Sequence, residues 1–91
     1  MKLYKMLVRE FLAEYTKALR TGRDLTQEKI AEQLHITSRA YGDLERGRYC
    51  FSAITLLFLL LMLEDWEIKE LLDRFRKRVY TLEHADFAGT K

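Results

Sequence analysis

Arg39, Asp43 and Arg46 follow one another at steps of four and three residues, with Ser38 and Gly42 beside them. On a helix that spacing sets all three charged side chains on one side. Tyr41 and Leu44 lie on the other side, so the charged side is expected to face solvent or a ligand. Its chemistry is recognition: guanidinium forks that donate, a carboxylate that accepts, and a hydroxyl that does either. Catalysis has little to draw on. The chain holds two serines, two histidines and one cysteine, and they form no nucleophile–base or oxyanion constellation. Cys50 makes no zinc-ligand spacing with His35 or His84, so neither a metal nor a cofactor is expected.

The elements that must position this face are readable on either side of it. Leu25 to Gly47 reads as two short helices joined by a tight turn, an arrangement that can set one exposed helix face into the major groove of DNA. Thr26 is a natural N-cap for the first, and Glu28 sits well near its positive end. Ile30, Ala31 and Leu34 share a face that should be buried. Thr37 caps the second, Ser38 to about Arg46, and Gly47 ends it. Upstream, Leu3, Leu7, Phe11, Tyr15 and Leu19 recur every four residues, predicting a helix from Leu3 to about Thr21 that Gly22 stops. Downstream, Ser52 caps a helix over Ala53–Leu63. A fifth helix is predicted from Asp65 to Thr81 or a little beyond. Its acidic first half and basic second half match the helix dipole, and Trp66, Leu71, Leu72, Phe75, Val79 and Leu82 read as its apolar stripe. The tail from His84 to Lys91 reads as frayed.

The totals bound the rest. Ninety-one residues, 48% of them hydrophobic, make one small folded domain over 1–91. No proline and only four glycines favour an all-α chain. A net charge of +2 excludes a uniformly basic nucleic-acid binder, so positive charge must be concentrated locally. The lone cysteine fits a reducing, cytoplasmic setting, and Arg9, Glu10 and Glu14 interrupt any secretory apolar region near the N-terminus. The apolar run Ala53–Leu63 spans 11 residues, short of the roughly 20 needed to cross a membrane. No small-molecule substrate is suggested.

A helix-turn-helix requires a small residue where its helices cross, apolar residues that lock the pair, a turn residue tolerant of left-handed backbone, and polar residues facing outward. Ala31 meets the first need, and Ile30, Leu34, Ile36, Tyr41 and Leu44 meet the second. His35 occupies the turn. With Leu25-Thr-Gln-Glu, Ile30-Ala31, Leu34 and Leu44-Glu-Arg-Gly47 at these spacings, the chain resembles the Cro/repressor-type (XRE) helix-turn-helix family in detail from about Leu19 to Leu63. The resemblance implies a compact five-helix, lambda-repressor-like DNA-binding domain with the helix-turn-helix unit at about 26–47, acting as a transcriptional regulator, most simply a repressor. It implies that Gln27 contacts a phosphate from a helix N-terminus. Ser38, Arg39 and Asp43 match base-reading positions: Arg39 to guanine O6 and N7, Asp43 accepting from a cytosine amine. Arg46 and Arg48 become candidates for phosphate contacts. Arg20 and Glu45 match a buried ion pair between helices 1 and 3.

Three departures from the family pattern carry their own expectations. His35 stands where glycine is usual and should be somewhat strained in a left-handed conformation. Gly42, inside the recognition helix, should cost about 1 kcal/mol relative to alanine; it either lets the backbone approach DNA closely or marks a weakened reader. Tyr49 and Phe51, in the link from Arg48 to Ser52, are expected to plug the core in preference to stacking on bases. Helix 4 is apolar all round, more than one small bundle buries. That surplus suggests an isologous homodimer through helix 5 (about 65–82) or helices 4 and 5, with recognition helices about 34 Å apart on a palindromic operator. The alternative is a protein-interaction module that keeps the fold without reading DNA.

Overall fold

The computed structural model describes residues 2–89, with side chains described over 2–85. Five helices follow in order: α1 (Lys2–Gly22), α2 (Gln27–Gln33), α3 (Ser38–Glu45), α4 (Ala53–Leu61) and α5 (Asp65–Gly89). Among the described residues there is no strand. The all-α, five-helix reading of the sequence is therefore the observed architecture.

The helix starts are set by hydroxyl caps. Thr26 Oγ1 accepts from the Lys29 amide at 3.0 Å, Thr37 Oγ1 from Ala40 at 3.0 Å, and Ser52 Oγ from Thr55 at 3.1 Å. Each satisfies a donor that the first helical turn leaves open, worth about 1 kcal/mol. At the start of α5, Glu67 Oε1 reaches back to the Glu64 amide at 2.9 Å. The same oxygen accepts from Arg23, whose other nitrogen donates to the Met62 carbonyl at 2.8 Å. One arginine thus ties the end of α1 to the α4–α5 turn.

Three helices end alike. After α1, α2 and α3, a residue with positive φ is followed by an amide that reaches back five residues: Leu25 to Arg20, Ile36 to Ala31 and Arg48 to Asp43. The left-handed residues are Asp24 (φ 57°), His35 (φ 61°) and Gly47 (φ 75°). This is the Schellman closure, which satisfies carbonyls orphaned at the helix end. Gly22, expected to stop α1, is helical instead; the chain turns two residues later, at Asp24.

The core gathers around the α2–α3 pair. Ile30, Ala31, Leu34 and Tyr41 are essentially inaccessible, as are Thr16 on α1 and Leu59 on α4. Thr16 can be buried because its hydroxyl donates to the Leu12 carbonyl at 2.7 Å. From α1, Phe11 and Leu12 fill the centre, while Leu71 and Phe75 of α5 close over Phe11, with the Phe11 and Phe75 rings 5.3 Å apart.

Several expectations need correction. Helix 4 ends at Leu61, with Met62 as its cap, two residues sooner than predicted, although Leu63 remains buried. Helix 5 does not fray at His84: its backbone stays helical to Gly89, while Thr90 and Lys91 lie outside the described residues. Trp66 and Leu72 leave the predicted stripe and are exposed, because the side of α5 that meets α1 is set by Leu71 and Phe75. Phe51 packs against the core, but Tyr49 points to solvent. On α4, Ile54, Leu57 and Leu61 are exposed at 69%, 61% and 78%, at a spacing that aligns them on one side of the helix. No helix among the described residues is long and apolar enough to cross a membrane.

Candidate functional site

The outer side of α3 is positioned from behind by a single buried carboxylate. Glu45, at the end of α3, accepts from Arg20 Nε at 2.8 Å and Arg20 Nη2 at 3.0 Å. It also accepts from Gln27 Nε2 at 3.1 Å and from the Tyr41 hydroxyl. The remaining Arg20 nitrogen donates to the Leu25 carbonyl at 3.1 Å. Helices α1, α2 and α3 therefore converge on one charge. Burial by itself would raise the Glu45 pKa, but the hydrogen bonds from Arg20, Tyr41 and Gln27 outweigh it and hold the carboxyl below its ordinary range. The bond to Glu45 raises Arg20. Burial and then that same carboxylate push the Tyr41 hydroxyl far above its ordinary value, so it stays a donor.

On the outer face, Ser38 and Arg39 are exposed at the start of α3, and Arg39 makes no ion pair among the described residues. Asp43 is otherwise placed. Its side chain is only 17% exposed, and Oδ1 accepts from Arg46 at 2.9 Å and from Arg48 at 3.4 Å. The carboxylate clamps two arginines beside α3 and is not presented freely. Both arginines remain more than half exposed, and ion pairs of this kind are worth little in water.

Gly42 is not part of the open face. It is buried, because the Arg46 guanidinium one turn later folds over it, and a Cβ there would meet Nη1 of Arg46 at 3.4 Å. The glycine expected to admit close backbone approach is thus roofed by a side chain. Gln27 is half-buried and joins the Glu45 cluster, a contact that α2 propensity alone does not reveal. The Tyr41–Glu45 contact was discoverable, since positions four apart on a helix are neighbours. His35 is exposed in the α2–α3 turn, its ring 4.2 Å from that of Phe58.

The structure therefore brings Ser38, Arg39, Asp43, Arg46 and Arg48 to one side of α3, with Gln27 at the adjoining start of α2, and withdraws Gly42. A family model described as helix-turn-helix matches residues 17–64, which hold all of these positions. Comparison with curated proteins and with solved structures gave no match.

Proposed function

Since the chain belongs to the Cro/repressor-type (XRE) helix-turn-helix family of DNA-binding regulators, we propose that it reads a specific duplex through the outer face of α3 and represses transcription there. The observation that carries the reading is the unpaired Arg39, exposed beside Ser38 in the first turn of an α3 tied to α1 and α2 through Glu45. A guanidinium in that position has its whole fork available for guanine O6 and N7. Gln27 fits a phosphate contact, because its amide has two N–H donors and spends one on Glu45. Arg46 and Arg48 would exchange Asp43 for phosphates, which frees the Asp43 carboxylate to accept from a cytosine amine. In this reading Asp43 stores the two arginines in the free protein and reads a base only in the complex.

Two copies acting together would bind a palindrome. Support comes from the exposed Ile54, Leu57 and Leu61 side of α4, which offers a second copy an uncharged apolar surface.

Selection of bound duplexes from a random pool tests the reading directly. One enriched palindrome is expected. Arg39→Ala should relax preference at one base pair, at a cost of roughly 1–3 kcal/mol on the selected site, whereas Arg46→Ala should weaken all duplexes alike and reduce the salt slope by about one. An Arg39→Ala variant with the parent's preferences would contradict the assignment. Absence of any shift at low salt, beside a stable complex with another protein, would favour an interaction module that has kept the fold alone.

A further inference from the structure

The seam between α1 and α5 carries an open groove that DNA reading leaves unused. It holds about 430 Å³, and Phe11, Tyr15 and Ala18 of α1 line it. From α5 come Arg74, Lys77 and Arg78, opposed by Glu14 as the one acid in its wall. Arg78 is already engaged, donating to Glu14 and lying 5.6 Å from the centre of the Phe11 ring. Arg74 pairs with Glu70 at 3.3 Å between exposed positions, a contact of little strength. Lys77 has no ion-pair partner among the described residues. Toward the start of α5 a smaller groove of about 170 Å³ shares Tyr15, Ala18 and Arg74 and is walled by Glu67 and Glu70. The rim thus changes sign along the seam, from basic to acidic. None of Gln27, Ser38, Arg39, Asp43, Arg46 and Arg48 lines either groove.

We propose that this groove receives an amphipathic helix of a partner protein, acidic where it passes Arg74, Lys77 and Arg78. Two helices side by side form a trough that a third can enter with anchors at i, i+3 or i+4, and i+7. Tyr15 and the small Ala18 supply the accessible surface for such anchors, while Phe11, only 5% exposed, forms the floor beneath them. A small molecule is a poor occupant, because sites for small ligands enclose most of the ligand surface and this groove is open to solvent. A duplex laid along the seam is also a poor occupant, since it would carry phosphates past Glu67 and Glu70 at the acidic end. Rim charges act chiefly on partner choice and orientation, and the change of sign favours one direction of the bound helix over the other.

The full chain would be panned against displayed helical peptides carrying Leu or Phe at i, i+4 and i+7, with Glu, Gln or Lys varied at the flanking positions. The enriched pool should be acidic toward one end. A labelled peptide from it should lose at least tenfold in affinity on Lys77→Glu, and bind undetectably to Ala18→Trp, whose ring fills the trough. Both variants should shift duplexes as the parent does. Amide chemical shifts of the unsubstituted chain should move at Ala18 and Thr81 when the peptide is added, a readout independent of either variant's folding. Recovery of no binder, a pool without acidic bias, or shifts mapping elsewhere would overturn the proposal. So would displacement of the peptide by duplex, and so would a loss of self-association on Ala18→Trp without effect on the peptide, which would assign the groove to a second copy.

Discussion

Glu45 shows how one residue sets the cost of change around it. Its side chain is 6% exposed and accepts from Arg20, Gln27 and Tyr41, so removing its charge leaves a guanidinium largely out of water with no counter-ion. Breaking such a pair from one side costs roughly 3 kcal/mol; Glu45→Gln should lower stability by about that much in urea denaturation at neutral pH. The pH dependence follows from the direction of the shift. The folded carboxyl is held below the ordinary 4.5; its contribution is therefore fully present above that value and is lost as pH falls through the lower folded value. The Glu45→Gln variant should show a flatter acid limb than the parent between neutral pH and acid unfolding. Gly42 makes the opposite case. Its backbone is helical, and a Cβ would only touch the mobile end of Arg46 at 3.4 Å or more. Gly42→Ala should raise stability by about 0.5–1 kcal/mol through helix propensity, measurable as a higher denaturation midpoint.

At the level of the element, the helices are bounded by short-range chemistry and oriented by long-range packing. Thr26, Thr37 and Ser52 cap their helices through side chains that reach only three residues ahead, which is why the starts of α2, α3 and α4 were legible in the sequence. Of the helix ends, the left-handed turn at His35 and the stop at Gly47 were read from the sequence, and the stop at Asp24 was not. Asp24 and His35 both adopt positive φ, a conformation that costs L-residues roughly 1 kcal/mol or more, and neither carries the glycine that usually announces it. Asp24→Gly is expected to gain about 0.5–1 kcal/mol, because the relief of strain there meets little opposition. His35→Gly should gain less, since it gives up the ring contact with Phe58 at 4.2 Å, a contact of comparable size. A parallel pair of thermal melts distinguishes these outcomes; equal gains at both sites would show that the His35–Phe58 contact contributes nothing.

At the level of the whole molecule, the extents of 47 × 28 × 21 Å leave room for distinct faces. A net charge of +2 gives no general attraction to polyanions, so duplex binding of the proposed kind must rest on the local set of Arg39, Arg46 and Arg48. The exposed apolar side of α4 is separate in character, with no charge among Ile54, Leu57 and Leu61. Leu57→Glu, at a site already 61% exposed, should leave folding stability within about 0.5 kcal/mol of the parent. If that side holds a second copy, the variant should sediment as a monomer where the parent is a dimer. Its affinity for a palindromic duplex should then fall by roughly a hundredfold through lost avidity. Sedimentation and gel shift of the same sample check both; unchanged self-association would move the contact to another face.

What the sequence determined by itself is what neighbours in the chain decide. Hydroxyl caps, four-residue apolar steps in α1, and the Leu25–Gly47 spacings define α1 to α4 and the helix-turn-helix, and the charge halves of α5 define the fifth helix. Capping, helical periodicity and the helix dipole are all read from residues along one helix. The outward side of α3 was equally legible, as the side opposite Tyr41 and Leu44. Only the tertiary structure decided which polar groups on that side are already engaged. Gln27 meets Glu45 across 18 positions, which no local rule reports, whereas the Arg20–Glu45 pair across 25 positions was already implied by the family resemblance. Asp43 holding Arg46 and Arg48, and Arg46 roofing Gly42, depend on rotamers chosen by packing and solvent exposure as well as by spacing. Trp66 and Leu72 turned outward because α1 selects which side of α5 is buried, and the α1–α5 groove exists only where those two helices meet. Hydrophobic burial is nearly direction-free and leaves such choices open from sequence, whereas hydrogen bonds and ion pairs acquire their partners once the helices are in place.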